Sequence, residues 1–253
     1  MSLIEQRCVQ THHAHKCVDT TCLASQRVQR IFPHDTARQD EYQRLRATVF
    51  VHRLKWKIFV DEEGRERDHY DQQETPSTSI YGVYGVHNEN ESLLGGVRIF
   101  ELHHWQDSMV ANEFYAAGMI PDTALAALAS QHDCRDFLEL TRFCVRRGRW
   151  YTPPSLSTRF NCEIARDLTY AAAYHVAEKT GRWHALALVH TSYLQVMKRS
   201  HFVFQEIYMH NTHEKSGYSL TDIDLLATIR ALSAAGEFAR AERMTAFCTE
   251  TTR

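Results

Sequence analysis

Residues 79–102 read SIYGVYGVHNENESLLGGVRIFEL. The first eight are β-rich and apolar on both faces, which suits a strand inside a sheet. Asn88, Glu89, Asn90 and Glu91 supply a turn, and 93–102 returns as the partner strand. This hairpin sets the class, and the elements around it fill in the order. Upstream, 39–51 places Tyr42, Leu45, Val49 and Phe50 on one helical stripe, while 57–78 has no clean period and reads as a loop folded over something. Downstream, 137–146 is a strand and 157–180 the longest helix, with Phe160, Ile164, Leu168, Ala172 and Val176 as its apolar stripe and Gly181 closing it. A buried strand at 185–190, a short helix at 192–199 and a strand at 202–209 follow, then amphipathic segments around 222–234 and 237–247. Helix, hairpin, strand, long helix, strand, helix, strand predicts an α/β protein of α+β type, a largely antiparallel mixed sheet flanked by helices.

Two of those strands carry charge. Arg98 sits in the apolar run GGVRIF, and Glu139 and Arg142 sit in FLELTRFCV. A buried arginine is costly unless it is paired. Acids to pair with stand in 46–71, RATVFVHRLKWKIFVDEEGRERDHYD, where Glu66, Asp68 and Asp71 follow Arg46, Phe50 and Trp56. A core helix has no need of the acids, and a plain loop has no need of the tryptophan. The combination describes a polar pocket for a charged substrate.

Composition narrows the class. At 253 residues the chain suits one large domain or one domain with extensions, and 43% hydrophobic residues are ordinary for a globular protein. A formal charge of −2 gives no global pull toward nucleic acid or membrane. No apolar run approaches the ~18 residues of a membrane span, and the start, MSLIEQRCVQTHHAHKC, has no signal-peptide core. The seven cysteines are odd in number and irregular in spacing, so Cys134, Cys144 and Cys162 read as reduced thiols of a cytoplasmic protein. Cys8, His12, His13, His15, Cys17 and Cys22 fit no usual zinc spacing, and no metal is expected.

In chain order, Arg46-x-x-x-Phe50, Trp56, Glu66-x-Asp68-x-x-Asp71, Arg98, Phe114 and Glu139-x-x-Arg142 resemble the LuxI-type acyl-homoserine-lactone synthases, which make quorum-sensing signals. Each short motif is weak alone; the order and the gaps make the match specific. The resemblance covers roughly residues 30 to 210. The chain departs from the pattern in its extra N-terminal residues and in a longer gap between Arg98 and Phe114. The resemblance implies an N-acetyltransferase-like (GNAT-like) three-layer sandwich. It divides the chain into an N-terminal extension at 1–29, expected to be flexible, a catalytic domain at 30–218 and a C-terminal helical extension at 219–253 packed on that domain.

The resemblance also implies a reaction. An acyl thioester, on acyl carrier protein or coenzyme A, acylates the amine of S-adenosylmethionine, a cosubstrate rather than a cofactor. The methionine carboxylate then closes the lactone and methylthioadenosine leaves. For the cationic cosubstrate, Phe50 and Trp56 offer aromatic surface, Asp68 and Asp71 anions, and Arg46 or Arg142 a carboxylate clamp. The catalytic candidates are Glu139, Arg142 and Asp68. Glu139 suits a general base if partial burial raises its pKa; the competing reading is a buried salt bridge to Arg98 or Arg142. Glu66, Arg98 and Phe114 read as bracing for the pocket, and the interposed Arg65 and Arg67 also allow an ion-paired loop. Backbone N–H groups at 143–146 could hold the oxyanion. Cys144 lacks an activating neighbour, so no covalent step is expected.

Val97, Met109, Leu140, Ala187 and Leu188 are the candidate acyl pocket. Ala187 stands where the family's threonine accompanies a 3-oxo chain, which leans toward an unsubstituted or 3-hydroxy acyl group. Arg146, Arg147, Arg149, Lys198 and Arg199 form basic clusters suited to an acidic carrier protein; Lys198 and Arg199 also suit a helix C-terminus. Two other readings compete. A coenzyme-A-dependent N-acyltransferase of the same fold would want a second glycine where RRGRWYTPPSL has Pro153 and Pro154. A non-catalytic binder of adenosylmethionine or acyl carrier would have no need of the full set of acids and arginines.

Overall fold

The computed structural model describes residues 26–71, 77–87, 90–116, 118, 120–146, 158–210, 217–245 and 248–249. Its hairpin is β2 (Thr78–His87) with β3 (Asn90–Glu101), paired antiparallel from Thr78↔Phe100 to His87↔Asn90. Asn90 and Glu91 therefore belong to β3 rather than to the turn. β3 continues into β4 (Phe137–Val145) antiparallel, and β4 meets β5 (His184–His190) in parallel. β5 pairs antiparallel with β7 (Tyr218–Asp224), which pairs antiparallel with β6 (Phe204–His210). At the other edge β1 (Gln26–Ile31) lies antiparallel to β2, and β8 (Cys248–Thr249) parallel to β1. The sheet order is β6-β7-β5-β4-β3-β2-β1-β8, mixed and mainly antiparallel as expected.

Helices cover both faces. On one face α3 (Thr158–Thr180) is the centre, with α4 (Thr191–Arg199), α5 (Leu225–Ala234) and α6 (Phe238–Met244) around it. Ile164, Leu168, Ala172 and Val176 of α3 pack on Val97, Leu138 and Leu140 of the sheet, as the apolar stripe predicts. Gly181, at φ +76°, ends α3 in a conformation open to glycine. The buried Asp167 draws in Arg166, Arg240 (3.3 Å) and Arg243 (2.8 Å), fastening α6 to α3. On the opposite face lie α1 (Thr36–Arg46), α2 (Asp122–Gln131) and the segment around Met109 and Val110. Tyr42 of α1 presses so close to β3 that a Cβ at Gly96 would stand 2.7 Å from its ring. Among the described residues, no helix is long and apolar enough to cross a membrane.

Several boundaries differ from the sequence reading. β1 starts at Gln26, inside the stretch assigned to an extension, so the sheet begins earlier than residue 30. The segment around 222–234 opens as strand β7 before Asp224 caps α5 by accepting from the Ala227 N–H at 2.7 Å. The C-terminal part packs on the domain, and β8 adds a strand to the sheet. α1 yields at Ala47 to a wide π-helical turn through Arg53. The N-terminal cysteines and histidines, and the side chains of Phe160 and Cys162, lie outside what the structure describes.

Candidate active site

The π-helical turn after Arg46 throws the chain outward and lets it return as the acidic loop. Asp35 caps α1, and Arg46 sits at its end, turned into the interior. Arg65 pairs with Asp61 within the loop (2.8 Å) and with Asp40 of α1 (3.2 Å), and Arg67 donates a hydrogen bond to the Gln43 Oε1 of α1 (2.9 Å). The Glu66 N–H donates to the Gln43 carbonyl at 3.2 Å. Arg65 and Arg67 thus brace the loop from outside and aim Glu66, Asp68 and Asp71 inward.

There the three acids meet three arginines. Arg46, with a fully buried side chain, donates to Glu66 through Nε, to Asp71 at 2.6 Å and to the Glu66 carbonyl at 2.8 Å. Arg98 grips Asp68 with two parallel bonds of 2.6 and 2.7 Å and also donates to the Thr141 Oγ1 at 3.2 Å. Arg142 stands 3.1 Å from Glu66 and 3.2 Å from Asp68. Burial works against ionising Asp68, but the hydrogen bonds and charge of Arg98, with the charges of Arg46 and Arg142, win and hold its carboxyl below the usual range. Burial likewise opposes charge on Arg98, and its bonds to Asp68 keep it protonated.

Glu139 and Arg142 are three apart in β4, so regular alternation would send them to opposite faces. The structure breaks the alternation. Cys144 pairs with Gly96 and Thr141 with Arg98, so two residues of β4, Arg142 and Phe143, oppose Val97 alone. Arg142 takes a left-handed φ of +52°, its carbonyl accepts from the Tyr42 hydroxyl at 3.0 Å, and its side chain joins the acids on the face of Arg98 and Thr141.

Glu139 has no ion pair among the described residues, against the salt-bridge reading. It is fully buried, and its Oε1 accepts from the Val110 N–H at 3.1 Å while Oε2 lacks a well-formed bond. Burial outweighs the hydrogen bonds of Ser108, Val110 and Met109 and pushes its pKa up to about 7. Phe50 and Trp56 stack at 4.9 Å, and Tyr218 of β7 meets Trp56 edge-on at 5.6 Å. Nothing in the sequence around Tyr218 signals that contact. The Cys144 thiol is buried and pushed up to about 12, which removes it as a nucleophile.

Other expectations are redistributed. Arg46 was a candidate clamp for a substrate carboxylate, but its guanidinium is buried and engaged by Glu66 and Asp71, so it braces the loop. Asp71, read as a substrate anion, is likewise engaged by Arg46 and Arg98. The acyl-pocket candidates do not form one wall: Val97, Leu140 and Ala187 face α3, whereas Met109 and Leu188 face the opposite cluster, where Phe114 also packs. Alternation along each strand separates them. β4 and β5 pair only from Phe137↔His184 to Glu139↔Leu186, so the two strands part beyond Glu139 and Leu186. Arg146 approaches Glu41 at 3.8 Å, Lys198 pairs with Glu206 at 3.0 Å, and Arg199 is exposed. Arg147 and Arg149 lie outside the described residues. Glu113 escaped the sequence reading; it faces Arg142 at 3.8 Å, and its only sequence signal is its place beside Phe114.

The family model for autoinducer synthases matches residues 33–224. None of the curated proteins matches the chain. Among solved structures it is similar to BjaI, a coenzyme-A-dependent acyl-homoserine lactone synthase solved with S-adenosylmethionine and isopentyl-CoA. The identity is 16% over 90% of this chain and 94% of that one, with a TM-score of 0.58. It is also similar to the acyl-homoserine lactone synthase LasI, at 18% identity over 90% and 98% of the chains and a TM-score of 0.55. FeeM, an N-acyl amino acid synthase from uncultured soil microbes, shares 11% identity over 83% and 98%, with a TM-score of 0.54. At these identities the likeness is one of fold.

Proposed function

The chain belongs to the autoinducer synthase family, and from that premise we propose that it makes an acyl-homoserine lactone from S-adenosylmethionine and an acyl thioester. The observation that carries the reading is the ion network itself: Arg46, Arg98 and Arg142 interlocked with Glu66, Asp68 and Asp71, beside the stacked Phe50 and Trp56 and the divergence of β4 from β5.

The chemistry has two steps. The amine of adenosylmethionine attacks the thioester carbonyl; the C–N bond forms, the C–S bond breaks, and the thiol leaves with the amine's proton by way of a base. The methionine carboxylate then attacks its own γ-carbon. The C–O bond forms, the sulfonium C–S bond breaks, and methylthioadenosine departs with the electron pair. Glu139, poised near pH 7, is the proton acceptor, reaching the amine through water. Backbone N–H groups of β4 beyond Glu139, where pairing with β5 ends, receive the oxyanion in this reading. The acyl chain enters the same divergence, with Leu140 and Ala187 on one side and Met109 and Leu188 on the other. Ala187 has no side-chain hydrogen-bonding group, which favours an unsubstituted or 3-hydroxy chain. Trp56 and Phe50 cover the adenosyl sulfonium.

Purified protein given adenosylmethionine and a panel of acyl-carrier and coenzyme A thioesters should release methylthioadenosine and a homoserine lactone, followed by mass spectrometry. No methylthioadenosine with any thioester on a broad panel would overturn the reading. An acylated amine without lactone would favour a plain N-acyltransferase.

A further inference from the structure

Charge counting around the site leaves one acid over. Glu66, Asp68 and Asp71 meet Arg46, Arg98 and Arg142 one for one, and all six side chains are at most 10% exposed. Glu139 is neutral over much of the range below pH 7. Glu113 is the surplus carboxylate, and at 31% side-chain exposure it is the most accessible acid of the group. It stands 3.8 Å from Arg142, too far for a closed hydrogen bond. Arg142 keeps a donor in hand as well: its Nε is buried and has no hydrogen-bond partner among the described residues. A buried unpaired N–H is costly, so a partner there is favoured.

Arg142 shares its Nη2 among Glu66, Asp68 and Glu113 and keeps its Nε unpaired, and with Glu113 3.8 Å away it is the complement of an α-amino-acid head, whose ammonium and carboxylate sit on one carbon. We infer that Arg142 and Glu113 together hold the amino-acid end of the cosubstrate, Arg142 taking the α-carboxylate and Glu113 the α-ammonium. The inference rests on the synthase reading above and reassigns the ammonium partner expected of Asp68 and Asp71. Those two acids are consumed by the protein's own arginines, so they lend the pocket rigidity rather than a free charge. Holding the amine at Glu113 also fixes which way its lone pair points once the proton has gone.

The test compares three ligands on the full chain by calorimetry. S-adenosylmethionine and S-adenosylhomocysteine both carry the amino-acid head; methylthioadenosine carries the nucleoside and thioether without it. Glu113→Gln should weaken the first two about tenfold or more, the loss of one charge-assisted contact, and leave methylthioadenosine within about twofold. Glu113→Asp should recover part of the loss. In turnover the Gln variant should raise the KM for adenosylmethionine with kcat changed less than the KM. Equal loss for all three ligands, or no loss for any, overturns the inference. A wild-type protein that binds none of the three overturns the synthase reading instead.

Discussion

Replacing Glu139 by glutamine separates two quantities that usually fall together. Burial raises the carboxyl from an ordinary value near 4.5 to about 7. At ~1.4 kcal/mol per unit, a buried ionised Glu139 costs the folded state roughly 3 kcal/mol relative to the unfolded chain. Below about pH 4.5 the group is protonated in both states and no cost applies. Between about 4.5 and 7 the folded state binds more protons than the unfolded one, so stability declines as pH rises, and above 7 the loss is complete. Glu139→Gln lacks this titration. Its stability relative to the wild type should therefore improve by roughly 3 kcal/mol between pH 4.5 and pH 8.5, whatever constant offset the buried amide adds. Urea unfolding at several pH values measures this directly. Over the same range, wild-type turnover should rise through about pH 7, and the variant should lose ~10²–10⁴ in rate if the carboxylate takes the amine's proton. Parallel stability curves for the two proteins would refute the buried-carboxyl argument. Near-normal turnover of the variant would remove Glu139 from the proton transfer and leave it as a packing group beneath Val110.

Asp68→Asn keeps one acceptor for Arg98, turns the other oxygen into a donor facing an arginine N–H, and removes the negative charge beside Arg98 and Arg142, leaving buried guanidinium charge undercompensated; a loss of about 3–5 kcal/mol is expected by chemical denaturation, and an unchanged midpoint would mean that the network is not what holds the loop. Arg199→Glu, on an exposed residue without an ion pair among those described, should raise the KM for an acyl-carrier thioester several-fold while barely changing turnover with a saturating small thioester. Equal loss with both donors would indicate damage to α4, and no loss with either would move the docking surface elsewhere.

The polar centre was legible because burial leaves little freedom: an arginine in GGVRIF must find an acid, and the chain offers a compact group of them in 66–71. What could not be read was which acid each arginine takes, since that depends on how the loop folds back onto α1 through Arg65 and Arg67. Strand β1, QRVQRI, hid for a different reason. Its buried apolar residues, Val28 and Ile31, are three apart, and the segment is strand only because β2 offers it an edge from Gln26↔Gly85 to Ile31↔Ile80. β7, YSLTDID, was merged into the amphipathic segment read around 222–234, because the strand runs straight into α5 with Asp224 as the cap between them. Glu113 had no local pattern at all. Its significance comes from Arg142, 29 positions later in the numbering, and only the folded chain brings them to 3.8 Å.

Arg142 is where the local rules and the site disagree most openly. A left-handed backbone inside a strand suits glycine, and for a residue with a Cβ it costs on the order of 1–3 kcal/mol. Arginine nevertheless stands there, at φ +52°. The bulge is what turns its guanidinium from the α3 face to the side of Glu66 and Asp68, and those contacts, with the Tyr42 hydroxyl on its carbonyl, offset the strain. The same bulge leaves Thr141 free to receive Arg98 and keeps Phe143 on the opposite face, against Tyr170 at 5.0 Å. One extra residue in β4 thus does two things: it completes the ion network with Arg142 and keeps Phe143 in the core under α3. A strand paired regularly from 137 to 145 would turn Arg142 toward α3 and Phe143 away from it, and the site would lose the guanidinium that the chemistry requires.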